Sequence, residues 1–255
     1  MTSALILFRI RKFLAYKLAA RGAHALHSPF LFDLYNQVIR QSGSERIASI
    51  EQLRKRLKYD DTILEVIDFK SGQTAKKTVG AICKTSSSTP KFSSFLRLLA
   101  DYLGAKTLLE TGTSLGLNTL YLAESDANTV ISIEGSQVIS LLAKKHLSQL
   151  KKAFIVNGDL YEVLEREIVR HKPDFYFLDA DHRSSAIAFC IDLILKHTPT
   201  TKCIVIHDIY WSPEMSEMWE SLKEDPRFSL TFDIFQAGIL FPNVEMEKQH
   251  FILRF

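Results

Sequence analysis

The chain has 255 residues, 46% of them apolar and 24% charged, enough to bury a sizeable core as one large domain or as a domain with an appendage. No apolar run reaches the roughly 20 residues that a membrane-spanning helix needs, and Arg9, Arg11 and Lys12 interrupt the N-terminal apolar residues too early for a signal peptide. The net charge of +3 is uneven: residues 1–60 carry 11 Lys and Arg against 4 Asp and Glu, so the basic surplus belongs to the first quarter.

Residues 2–21 predict a helix, with Leu7, Ile10, Leu14 and Leu18 at helical spacing. Its basic residues spread around the axis, which favours docking on the chain's own body or on a partner subunit over lying in a membrane interface. Ser28-Pro29 is a helix start, serine capping and proline in the first turn, for a helix that stops before Gly43. Ser49 and Gln52 are spaced as a capping box for another helix over 49–58. His24 and His27 have no carboxylate or cysteine clustered beside them and read as packing or surface residues. Thr62 to Phe69 fits a strand, and Lys70 to Lys91, rich in Ser, Thr, Lys and Gly, reads as a mobile loop ahead of a helix over Phe92–Leu103. The chain thus divides into a basic helical appendage (1–60), a connecting segment (61–91) and a main domain (92–255).

The centre of that domain is residues 106–123. Thr107-Leu108-Leu109 is a short apolar strand, Thr119 to Ala123 opens a helix, and Gly112 and Gly116 lie between them. A strand that turns into a helix on glycines lets a ligand approach the backbone and aims free N–H groups outward. Eighteen residues past Gly116, the strand Thr129 to Ile133 ends in Glu134, placed to accept hydrogen bonds from a ribose diol. Ser114 stands where a dinucleotide-binding turn needs its second glycine, and no G-x-x-x-x-G-K-[ST] is present. Glu110 would repel a phosphate and suit an ammonium group. An adenosine compound with a positive charge, S-adenosylmethionine, fits better than a dinucleotide.

The run Glu110-Thr-Gly112-Thr-Ser-Leu-Gly116-Leu-Asn-Thr-Leu resembles the first motif of class I S-adenosylmethionine-dependent methyltransferases, nearest the catechol and caffeoyl-CoA type of small-molecule O-methyltransferases. The resemblance covers about residues 90–255. It implies cofactor contacts from Glu110, Gly112, Thr113, Gly116 and Asn118, and a lid over the site near Lys84 to Pro90; a plain solvated linker is the other reading of that segment.

From residue 106 strands and helices alternate, the signature of a parallel sheet with helices on both faces. Strands at 106–110, 129–134, 153–156, 175–178 and 203–206 are followed by polar or acidic residues, where open α/β sheets bind ligands. His146 lies in an apolar helical stripe and reads as structural. Cys83, Cys190 and Cys203 are few and scattered with no C-x-x-C, as in reduced cytoplasmic proteins. Residues 228–235 alternate as a strand, and a last strand covers about 250–255. Only about eight residues separate it from Phe241, too few for a crossover helix, so the two run antiparallel. The expected fold is a Rossmann-like, doubly wound, mostly parallel seven-stranded α/β sheet with an antiparallel C-terminal strand and an N-terminal helical appendage.

Gly158-Asp159 follows the third strand, where the resemblance implies an acid near the adenine; Asp159 is equally a helix N-cap. Asp179-Ala180-Asp181-His182 crowds titratable groups on one strand tip, which a sulfonium, a metal or a substrate proton would each justify. It resembles the Asp-Ala-Asp-Lys of the metal-dependent O-methyltransferases. That match implies a cofactor and catalytic contact for Asp179 and puts His182 at the position of the base, where an imidazole can take a proton from an acidic hydroxyl. In the metal-dependent members Asp-Asn follows the fifth strand; here Asp208 fits and Ile209 cannot coordinate, leaving Asp179 and Asp208 as a weak Mg²⁺ pair unless Asp181 or His207 substitutes.

The sequence therefore predicts O-methylation of a small hydroxylated acceptor. Two alternatives stay open: an RNA methyltransferase that contacts phosphates through the basic appendage, and a non-catalytic cofactor-binding module that docks on a membrane or protein. A homodimer through the N-terminal helices is a further expectation.

Overall fold

The computed structural model describes residues 3–67 and 74–255. Helix α1 (Ser3–Ala19) is followed by α2 (Pro29–Leu34), where the Ser28 hydroxyl accepts the Leu31 N–H. The chain continues through a wide π turn (Tyr35–Ile39) and a 3-10 turn (Gln41–Gly43) into α3 (Ala48–Leu57). Helix α3 begins one residue before Ser49, with Ile47 at its N-cap and no side-chain capping bond, so the expected capping box does not form.

Strands β1 (Ile63–Ile67) and β2 (Thr74–Thr78) pair antiparallel, and α4 (Val79–Ser86) and α5 (Pro90–Tyr102) follow. Of the loop expected over 70–91, residues 70–73 lie outside the described residues, as do 68 and 69 of the expected strand. Residues 74–86 are regular structure instead. The Thr78 hydroxyl caps α4 by accepting the Ala81 N–H, and Val79, Ile82 and Cys83 are buried at helical spacing.

The main sheet contains β3 (Thr107–Thr111), β4 (Thr129–Glu134), β5 (Ala153–Asn157), β6 (Phe175–Leu178), β7 (Cys203–His207), β8 (Leu230–Asp233), β9 (Ala237–Phe241) and β10 (Gln249–Ile252). Between them run α6 (Leu117–Ala123), α7 (Gln137–His146), α8 (Leu160–His171), α9 (Ser184–His197) and α10 (Pro213–Glu224). The order across the sheet is β10-β8-β9-β7-β6-β3-β4-β5. Eight strands replace the seven expected, because β9 was hidden: Phe235, at φ 68°, turns the chain with no glycine, proline or asparagine to mark it.

Strand β9 is the antiparallel one, hydrogen-bonded between β7 and β8. The last strand, β10, pairs in parallel with β8. The short link after Phe241 does reverse the chain, as argued from its length, but β8 lies between β9 and β10, so the C-terminal strand itself is parallel to its partner.

Side chains of the central strands alternate between two buried layers. Leu108, Phe175, Phe177, Cys203 and Val205 face Phe92, Phe95, Leu96 and Tyr121 on one side. Leu109, Tyr176, Leu178, Ile204 and Ile206 face Leu164, Ile191, Ile194 and Trp219 on the other. The first layer also holds Leu31, Leu34, Val38, Ile50 and Leu57, so the N-terminal helices share a core with the sheet. Helix α1 is tied to the end of the chain: the Tyr16 hydroxyl donates to the Leu253 carbonyl at 2.7 Å and accepts the Phe255 N–H at 2.9 Å. No helix among the described residues is long and apolar enough to cross a membrane.

Candidate active site

Strands β3, β4, β6 and β7 are parallel, so their carboxyl ends open on one side, and a cavity of about 650 Å³ lies over them. Gly112 ends β3 at φ +87°; a Cβ there would stand 2.7 Å from the Asp179 carbonyl oxygen. The glycine lets the turn after β3 pass close to the tip of β6, a backbone approach that a side chain would block.

Ser114, at φ 49°, turns its N–H onto Glu134 Oε2 at 2.8 Å, and the Ser136 N–H reaches Oε1 at 2.9 Å. Glu134 is thus clamped at the tip of β4 with its carboxylate on the cavity wall, and burial raises its pKa above the ordinary carboxylate range. Gly158 and Asp159 line the same wall beyond β5. Asp159 also caps α8, accepting the Tyr161 N–H at 2.8 Å. Capping and cavity lining are compatible here, since one oxygen serves the helix.

Four expected contacts lie elsewhere. Glu110 is fully buried behind the turn, accepting from Asn118 at 2.7 Å, Thr119 at 2.5 Å and Ser132 at 2.6 Å. Burial outweighs those donors and pushes its pKa up to about 7. Thr113 joins the same cluster through the Ser132 hydroxyl at 2.6 Å. Gly116 opens α6, and a Cβ there would strike Leu147 at 2.7 Å, so it serves helix packing. Glu110, Thr113, Gly116 and Asn118 therefore brace the turn from behind rather than line the cavity. His146 is structural, as expected, with Nδ1 2.8 Å from the Leu115 carbonyl.

The tips of β6 and β7 bring Asp179, His182, His207 and Asp208 together. His207 Nδ1–H donates to Asp179 Oδ1 at 2.7 Å and lies 3.8 Å from Asp208 Oδ2. Burial alone would lower its pKa, but the two carboxylates outweigh it and hold the ring at about 9, cationic at neutral pH. His182 Nε2 stands 3.9 Å from both Asp179 Oδ1 and Asp208 Oδ2, and its ring lies 5.5 Å from Trp211. Asp181 is drawn aside by Arg183, whose Nε lies 2.9 Å from Oδ2.

This donor set does not fit a hard divalent cation. The His207 imidazolium already occupies Asp179, Ile209 is fully buried where an oxygen ligand would be needed, and Asp181 is committed to Arg183. Among the described residues no group of three or more His, Cys, Asp or Glu is arranged to hold a metal.

Sequence reasoning missed two contributors. The Ser114 N–H became a ligand of Glu134 only through its left-handed backbone. His207 stands out in the sequence only as a substitute metal ligand, and its pairing with Asp179 emerges from the fold. Thr85, Ser86, Ser87 and Ser88, from the end of α4 and the link to α5, lie in the segment where a lid was expected and line the cavity.

A family model described as a methyltransferase domain matches residues 109–209. The fold is similar to the O-methyltransferase from Bacillus cereus in complex with SAH, at 18% identity and TM-score 0.56 over 81% of this chain and 98% of that one. It is similar to the SAH-bound methyltransferase PaMTH1 of Podospora anserina, at 16% identity and TM-score 0.52 over 62% and 81%. A third similar structure is the O-methyltransferase TomG from Streptomyces achromogenes, involved in tomaymycin synthesis and in complex with SAM, at 16% identity and TM-score 0.51 over 62% and 82%. A comparison with curated protein sequences gives no match. Residues 109–209 of this chain therefore match a methyltransferase-domain model, and the fold is the Rossmann-like one of those structures.

Proposed function

We propose that the chain is an S-adenosylmethionine-dependent O-methyltransferase acting on a small hydroxylated acceptor. The observation that carries this reading is Glu134: a carboxylate clamped by two backbone N–H groups, at the tip of the strand beside the glycine turn, with oxygen lone pairs left for a ribose diol. Structures of the same fold that hold SAM or SAH support it. Gly112 and Asp179 would flank the sulfonium end and Asp159 the adenine end. When bound, the cofactor supplies the electrophilic methyl group.

The protein's part is to position and to move one proton. Holding the acceptor oxygen in line with the methyl can lower the barrier by roughly 7–11 kcal/mol. His182 Nε2 takes the hydroxyl proton as the oxygen–carbon bond forms. Asp179 Oδ1 and Asp208 Oδ2 each lie 3.9 Å from that nitrogen. The His207 cation neutralises Asp179 from the other side and fixes its orientation.

Calorimetric titration with S-adenosylhomocysteine tests the reading. Wild type should bind saturably, and Glu134→Ala should bind about 10- to 100-fold more weakly, the range for hydrogen bonds to a charged group. Turnover on a panel of phenols and catechols should be unchanged by a chelator. Absence of saturable binding, or a Glu134→Ala variant equal to wild type, sinks the proposal.

A further inference from the structure

A second cavity, of about 440 Å³, lies between α1 and the loops after β7 and β8, and meets the first at Asp208, which lines both. Its walls are aromatic. Phe235 takes Phe13 edge-on at 5.0 Å, and lies 5.4 Å from both Tyr16 and Tyr210. Phe255 closes another side.

Into this apolar space the chain puts cations. Lys17 Nζ lies 5.3 Å from the Phe13 ring, Lys91 Nζ 4.1 Å from the Phe255 ring, and Arg9 stacks over Trp211 at 4.7 Å. Neither Lys17 nor Lys91 forms an ion pair among the described residues. Burial and the charge of Lys17 both lower the pKa of Lys91, so the two ammonium groups feel one another. Both lysines line one cavity as like charges, and an anion bound between them would be attracted by both. The carboxylate in this lining is Asp208, at the junction with His182.

Resting on the methyltransferase reading above, we infer that this cavity is the acceptor site and that the acceptor is a hydroxylated aromatic compound bearing an anionic group. Lys17 and Lys91 hold the anion, the rings of Phe13, Tyr210 and Phe235 enclose the aromatic body, and the reacting hydroxyl points past Asp208 to His182. This gives the N-terminal helix a role that the common fold does not require: α1 supplies Arg9, Phe13, Tyr16 and Lys17 to the site. A ring of this size presents few polar atoms, so one charged anchor sets the orientation.

The test is titration of dihydroxybenzoate and of catechol, each with S-adenosylhomocysteine present, into wild type and Lys17→Met/Lys91→Met, which keeps the apolar stems. Wild type should bind the benzoate roughly 10- to 100-fold more tightly than catechol. The double variant should lose that preference, with its affinities for catechol and S-adenosylhomocysteine unmoved. A catechol bearing a phosphate group should follow the benzoate if charge is what is read. Equal binding of benzoate and catechol by a wild type that binds S-adenosylhomocysteine overturns this inference and spares the methyltransferase reading. Retained preference in the double variant overturns it too. Failure of wild type to bind S-adenosylhomocysteine removes both.

Discussion

His182 and His207 stand in the same acidic pocket with different surroundings, and that difference assigns their work. His207 is half-buried against Phe92 and Phe177, with Nδ1 bonded to Asp179. Held at about 9, it keeps its proton at neutral pH and cannot serve as a base. His182 opens on the cavity with neither carboxylate closer than 3.9 Å. His182→Ala should cut kcat by about 10²- to 10⁴-fold, as expected for a lost general base, while calorimetry finds S-adenosylhomocysteine affinity unchanged. A variant with wild-type kcat would remove His182 from the chemistry. The His207 proton also contributes to stability. Its pKa rises from 6.5 to about 9 on folding, so the contribution is complete below about pH 6.5 and is lost as pH rises through 9. Urea melts should show wild type losing stability relative to His207→Gln over that interval; parallel curves would contradict the pairing with Asp179.

At the scale of elements, the N-terminal helices are walls of the core rather than additions to it. Leu31 and Leu34 of α2 are fully buried beside Phe95 and Leu99 in one layer. Leu34→Ala should therefore cost about 2–5 kcal/mol, as for other large-to-small core changes, read from the shift of the denaturation midpoint. A fragment lacking residues 1–60 should fail to fold; a soluble, cooperatively melting fragment would show that the sheet does not need them. The sequence made these helices legible through Ser28-Pro29 and the apolar spacing, but not their dependence on the sheet. Burial between elements far apart in sequence has no local periodic sign. The same limit hid β9, whose pairing partners are Ile204–His207 on one side and Leu230–Asp233 on the other.

For the whole molecule, what could be read in advance was the part dictated by backbone chemistry. Gly112 had to be a glycine beside Asp179, Glu134 had to end a strand beside the turn, and Asp159 had to cap a helix. Glu110 misled because strand alternation and a sharp turn decide which acids face a cavity, and charge alone does not. Its three donors point it into the protein. The basic first quarter also changed meaning once folded. Arg9 lies over Trp211 and Lys12 lies 5.3 Å from the Tyr210 ring, so part of that charge is turned toward the site rather than displayed for phosphates.

A crystal structure with S-adenosylhomocysteine bound tests the central claim most directly. The account predicts the ribose hydroxyls on Glu134, the adenine beside Asp159 and the sulfur near Gly112 and Asp179, in the cavity over β3, β4 and β6. Density for the compound anywhere else on the chain would contradict it.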